Sequence, residues 1–196
     1  HELIRAGSLR VYCCRAGEMP SVLREIGRLR EVTFREVGEG SGCSIDLDRY
    51  DDTYRHLFLW DDERGRLAGA YRLGLTDEIV PRSGVDGLYT RSLFKYGESL
   101  LAELGPAIEL GRSFVTSEYQ RSYTALLLLW KGIARFVSSH PRYRVLFGAV
   151  SISAEYDSMT KRFMMAFLRH HHFDPNLSRL VRARRPPRRG RIRQSD

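Results

Sequence analysis

Four groupings of charged residues in this chain have the types and spacing to do chemistry. Glu109 and Arg112 stand three apart in AIELGRSFV, inside the most hydrophobic neighbourhood of the sequence. Charges taken out of water are costly unless they are paired or at work, so this pair is either a tie between elements or a working site. Asp48 and Asp51 lie one turn apart in SIDLDRYDD and can present two carboxylates to a cation. The spacing is partly that of a calcium loop, but the glycine at its sixth position and the terminal glutamate are missing, so a solvated acidic turn ranks above a metal site there. Arg30 and Phe34, four apart, share one helical face, with Phe34 in the core and the Arg30 stem lying along it as the simplest arrangement. Arg72 sits between Ala70 and Gly74 on a strand face kept clear by small neighbours, either for an approaching group or as an ordinary edge arginine.

The elements that must position these residues can be read from periodicity. LRVYC (9–13) alternates as a first strand, on which Cys13 and Cys14 point to opposite faces. From Ser21, a candidate N-cap after Pro20, apolar residues recur with helical spacing to Gly38. The glycine-rich stretch 38–44 lacks the features of a phosphate-gripping loop and is expected to be a linker or cover. HLFLWD (56–61) and RLAGAYRLGL (66–75), joined by a turn at Gly65, form a hairpin. Residues 76–87 are expected as polar loop and 89–104 as a segment of helical character. The Glu109 strand is followed by a helix over 121–138, apolar almost all round and so expected to be deeply buried. VLFGAVSIS (145–153) is expected as a fully buried strand, and 158–170 as an amphipathic helix. The order predicts a mixed α/β fold without internal repeat. Glu109 and Arg112 would face opposite ways on a regular strand, so a shared site requires a bulge at Gly111.

The 196 residues suit one sizeable domain, and no apolar run reaches the length of a membrane span. Three cysteines and no secretory signal point to a reducing cytoplasm, and a first residue of His rather than Met points to a missing natural start. Residues 179–196 hold eight arginines against one acid, Asp196, so this tail carries +7 of the net +8 and leaves +1 for residues 1–178. Residues 1–178 are therefore expected as the folded domain and 179–196 as an Arg-rich arm, either solvated or laid on anionic lipid at the inner face of the membrane. Nucleic acid ranks below lipid as its partner, since the tail lacks interleaved aromatics. His170, His171 and His172 are consecutive and cannot converge on one ion from a helix, so no metal is expected.

Taken together, Arg30-x3-Phe34, Asp48-x2-Asp51, Arg72 and Glu109-x2-Arg112 resemble the acyl-homoserine lactone synthases of the GNAT acyltransferase superfamily. The segments DLDRYD, HLFLWD, AGAYRL, IELGRSFV, LLLLWKGIARF and YRVLFGAVSIS resemble still more closely the ornithine-lipid, or hemolysin-like, N-acyltransferases. The resemblance runs over about 9–174. It implies a GNAT-like fold, a central, mostly antiparallel, splayed sheet with helices on both faces. It implies transfer of a 3-hydroxy fatty acyl group from acyl carrier protein to an amino acid such as ornithine. Under it, Glu109 and Arg112 are catalytic, and Arg30, Phe34, Asp48, Asp51 and Arg72 bind the acceptor. Phe114, Val115 and Arg121 bind the donor. The glycines of the usual GNAT pyrophosphate loop are absent from SEYQRSYTA (117–125), which favours a carrier protein over acyl-coenzyme A, with no tightly bound cofactor. An acyl-homoserine lactone synthase and a non-catalytic acyltransferase-like module of a phospholipid acyltransferase are the alternatives.

Overall fold

The computed structural model describes residues 1–153 and 155–185. Strands β1 (Glu2–Ala6) and β2 (Leu9–Arg15) form a hairpin, followed by helix α1 (Pro20–Glu36) and the long hairpin β3 (Arg55–Asp61) and β4 (Arg66–Leu75). Then come α2 (Thr76–Ser83), short strand β5 (Phe94–Tyr96), α3 (Leu100–Leu104) and the central strand β6 (Ala107–Val115). Short helix α4 (Ser117–Gln120) leads into α5 (Tyr123–Ser139), β7 (Val145–Phe147), α6 (Ser158–His171), α7 (Pro175–Ser178) and β8 (Val181–Ala183). Six strands make one sheet in the order β1-β2-β3-β4-β6-β7, antiparallel throughout except for the parallel β6–β7 pair.

Alternation along the strands divides the core in two. Val11, Cys13, Leu57, Leu59, Leu73 and Ile108 pack beneath α5, against Leu128, Leu129, Ile133 and Phe136. Cys14, Phe58, Ala70 and Phe114 face α1, against Leu23 and Ile26. Cys13 and Cys14 thus lie on opposite faces, and burial pushes the Cys13 thiol up to about 12, which leaves it protonated and inert. Helix α1 begins with Pro20 at its first turn, where the missing N–H costs nothing, so Ser21 lies inside the helix rather than capping it.

Several expectations are corrected. Residues 76–87 are not loop: Ile79 is buried, and that contact secures α2 despite Pro81, followed by a 3-10 turn over Val85–Gly87. Residues 89–104 divide into a 3-10 turn, β5 and α3 instead of one helical piece. Helix α5 buries only one face, leaving Leu126, Leu127 and Trp130 exposed. The buried strand expected over 145–153 ends at Phe147; beyond it the chain leaves the sheet, and Val150 is 92% exposed. Within the stretch expected as an arm, Val181–Ala183 pairs antiparallel with Phe94–Tyr96. Arginines 188, 189, 191 and 193 of the tail lie outside the described residues. Among the described residues no helix is long and apolar enough to cross a membrane.

Candidate active site

The site begins at Gly27. A side chain there would meet Ile45 at 2.6 Å and Leu47 at 2.7 Å, so only glycine lets the 45–47 segment lie against α1. The Asp46 amide donates to the Gly27 carbonyl at 3.0 Å, which presents the acidic turn to the next residues of the same helix. The Asp51 amide then donates to the Asp48 carbonyl, closing the turn.

Three arginines from three elements converge on the three acids of this turn. Arg30 of α1 lies 3.1 Å from Asp46 Oδ2, also donates to the Asp46 carbonyl, and reaches both Asp51 oxygens at 3.2 and 2.9 Å. Arg72 of β4 contacts Asp48 at 2.7 Å and Asp51 at 3.2 Å. Arg112 of β6 lies 3.3 Å from Asp46 and 3.5 Å from Asp48. Burial alone would raise the Asp51 carboxyl, but the Arg30 bonds, the Arg30 and Arg72 charges and the Asp48 amide hold it below the usual carboxylate range. The simplest arrangement for Arg30, with its head in water, is therefore wrong: the guanidinium is buried because it has carboxylates to meet.

Behind this network Arg72 is enclosed by the rings of Tyr54, Tyr89 and Tyr50, 5.0 to 5.6 Å from its guanidinium carbon. Tyr54 occupies space that a side chain at position 74 would fill, 2.4 Å from the place of a Gly74 Cβ. Its hydroxyl donates to Glu109 Oε2, and the adjoining amides of Tyr89 and Thr90 donate to the same carboxylate at 3.0 and 2.6 Å. Burial, then the Glu109 charge, pushes the Tyr54 phenol well up. His56, on the neighbouring strand, has a lowered pKa from burial and meets the Asp51 carbonyl at 2.9 Å.

The ladder between β4 and β6 breaks where the spacing argument requires it. Ala70 pairs with Phe114 but Arg72 with Gly111, so β6 carries one residue too many. The left-handed residue is Arg112, at φ 49°, rather than Gly111. This conformation is costly for a residue with a Cβ and is held by the ion pairs of its head group. It brings Arg112 to the Glu109 side of the sheet, where its guanidinium lies 5.2 Å from the Tyr89 ring and 5.8 Å from Phe34.

Strands β6 and β7 pair over only three residues, Ala107–Val145 to Glu109–Phe147, and then part. The gap is a cleft of about 630 Å³ lined by Phe34, Tyr89, Arg112, Phe114 and Val115 on one side and by Ala149, Val150, Ser151, Ser153 and Glu155 on the other. The sequence-predicted residues thus fall into two groups. Phe34, Arg112, Phe114 and Val115 line the cleft; Arg30, Asp48, Asp51, Arg72 and Glu109 form the supporting network. Arg121 is exposed in the turn between α4 and α5, outside the cleft lining. Gln120 takes the place expected of it, in the cleft with its amide donating to the Val115 carbonyl at 2.8 Å. Sequence reasoning missed Asp46, Tyr54 and Tyr89; only Asp46 carried a signal, as the third acid of DLDRYD.

Residues 29–131, from α1 through most of α5, match the acetyltransferase (GNAT) domain. The chain belongs to the GNAT acetyltransferase family. The match spans every member of the three-arginine network and the Glu109 strand. Curated relatives include a glycine N(alpha)-acyltransferase of Bacteroides thetaiotaomicron, 36% identical over 84% of this chain and 52% of its own length. Another of that name, from Phocaeicola vulgatus, is 35% identical over 84% of this chain and 54% of its own. The chain therefore spans about half the length of the curated relatives it matches. Among solved structures, the acyl-homoserine lactone synthase LasI aligns over 81% of this chain and 77% of its own, with 18% identity and a TM-score of 0.49.

Proposed function

We propose that this GNAT domain is an N-acyltransferase that moves a fatty acyl group from a carrier-held thioester to the amine of a small amino acid, with glycine as the acceptor. The observation that carries the reading is the cleft where β6 and β7 part, beside the bulged, left-handed Arg112. An extended pantetheine arm enters such a gap as an added strand on the open edge of β6 from Leu110 to Val115. The extra residue of a bulge has its amide outside the ladder, available to the oxyanion of the tetrahedral intermediate. Arg112 is the arginine of the network whose side chain is partly open, at 23% against 1% for Arg30 and Arg72, so it takes the acceptor carboxylate. The ammonium loses its proton, the free amine attacks the thioester carbonyl, and the departing thiolate takes up a proton as the amide forms. Glu109 is buried, already accepts from three donors, and acts by holding Tyr89 at the cleft wall.

Glycine is favoured over ornithine because the three acids of the turn, Asp46, Asp48 and Asp51, already face Arg30, Arg72 and Arg112 and are not free for a second ammonium. The names of the two relatives agree. Acyl carrier protein is favoured over acyl-coenzyme A because the 117–125 turn lacks glycines, and Ser122 occupies an amide at the start of α5. The test presents the protein with acyl carrier protein or acyl-coenzyme A thioesters and a panel of glycine, ornithine, lysine, S-adenosylmethionine and glycinamide. Glycine amide product with acyl carrier protein is expected. Arg112→Ala should lower kcat/KM for glycine at least tenfold while sparing glycinamide, which has no carboxylate. No amide from any pairing would refute the catalytic reading, lactone product would favour the synthase alternative, and faster acylation of ornithine would reverse the acceptor assignment.

A further inference from the structure

Helix α6 is amphipathic, yet none of its side chains is buried. Met159, Phe163 and Phe167 recur every fourth residue and are 78, 73 and 50% exposed; Met165 and Leu168 are exposed as well. Such a stripe on a helix normally marks the face turned to a core. Here only Thr160, Lys161 and Met164 are even half-buried, so the helix leans on the domain by a different side. The helix is also one-signed: it carries Lys161, Arg162 and Arg169 and no acid. From Ser158 to Arg185 there are seven lysines and arginines against one acid, Asp174. Arg162 and Arg169, seven apart, share a stripe away from Phe163 and Phe167. The helix is well formed in its own right, since Asp157 caps it by accepting from the Met159 and Thr160 amides at 2.7 and 2.8 Å.

We infer that α6 is a membrane-interface helix, lying in the plane of an anionic lipid surface with Met159, Phe163 and Phe167 among the acyl chains and its arginines at the headgroup phosphates. A basic helix with a separate aromatic face and no acids matches an anionic interface in both charge and hydrophobicity. Its 14 residues are too few to span a bilayer, so the helix lies on the surface. The arginine tail by itself has charge but scarcely any apolar side chain to insert. Helix α6 supplies what the tail lacks, and it starts five residues beyond Ser153, at the rim of the acyl-transfer cleft.

The test is flotation of the full chain with vesicles of phosphatidylglycerol and phosphatidylcholine mixed, against phosphatidylcholine alone. Three variants accompany it: Phe163→Ser with Phe167→Ser, Phe163→Trp, and removal of residues 186–196. Because Phe163 and Phe167 are exposed, the double variant should keep the parent's melting temperature. Expected results are binding to anionic vesicles only, at least tenfold weaker binding by the double serine variant, and a blue shift on the vesicles in the emission of the Phe163→Trp variant. Removal of 186–196 should weaken binding without abolishing the blue shift. Equal binding by the double serine variant and the parent, equal binding to neutral vesicles, or no vesicle binding alongside capture of α6 by acyl carrier protein would each overturn the inference.

Discussion

Replacing Asp51 by Asn removes one charge from a buried network of three acids and three arginines while keeping its shape. Asp51 accepts two Arg30 N–H groups at 3.2 and 2.9 Å and the Asp48 amide at 2.8 Å, and stands 3.2 Å from Arg72. The amide nitrogen of Asn would turn a donor towards donors, leaving Arg30, Arg72 and Arg112 sharing two carboxylates. Breaking a buried pair from one side costs about 3–5 kcal/mol, because the remaining charge has no compensation. With a urea slope of about 2 kcal/mol/M, the midpoint should fall by about 1.5–2.5 M. The same reasoning fixes a pH signature. Asp51 is held below its unfolded value of about 3.9, so its stabilisation is fully present above pH about 4 and is lost as pH falls through the folded value. The gap between wild type and Asp51→Asn should therefore be widest near neutrality and narrow as the solution is acidified below the unfolded value. A midpoint shift below about 0.5 M, equivalent to about 1 kcal/mol, or a gap that does not narrow in acid, would refute the view that the network is held by paired charge.

Two further substitutions probe the layer behind the cleft. Gly74→Ala places a methyl 2.4 Å from the Tyr54 ring, so the ring must move off Glu109; overpacking of this kind costs about 1–3 kcal/mol, and amide formation should drop with stability in parallel. Unchanged urea midpoint and turnover would show that Tyr54 has room the packing denies it. Glu109→Gln turns one acceptor oxygen into a donor facing the Tyr89 and Thr90 amides and the Tyr54 hydroxyl, and should lower kcat while preserving the acid limb of the pH–rate profile. Disappearance of that limb would make Glu109 the general base.

Much of this site was legible because its members are written in short local patterns. Helical spacing placed Arg30 beside Phe34, strand alternation placed Arg72 on the face of Ala70 and Gly74, and the three-residue step from Glu109 to Arg112 demanded a bulge that the β4–β6 register contains. The illegible parts depend on partners far away in sequence. Tyr89 and Tyr54 gave no signal, since an isolated tyrosine reads as core, and their roles come from amide and hydroxyl bonds to Glu109. The stretch 145–153 reads as strand in composition, but β6 offers it a partner for three residues only.

By itself the sequence determined the alternating layers, the hairpin, the bulged strand and the presence of three arginines and three acids, because each follows from local periodicity or from a geometric conflict within one element. The tertiary structure alone decided how those charges are used. Bringing α1, β4, β6 and the acidic turn together pairs the acids with arginines, which withdraws them from a cationic acceptor. The same packing leaves Arg112 at the cleft and Glu109 one layer behind it. Ion pairing falls steeply with distance and desolvation, so residue types indicate which charges exist, and only the fold determines which of them remain free.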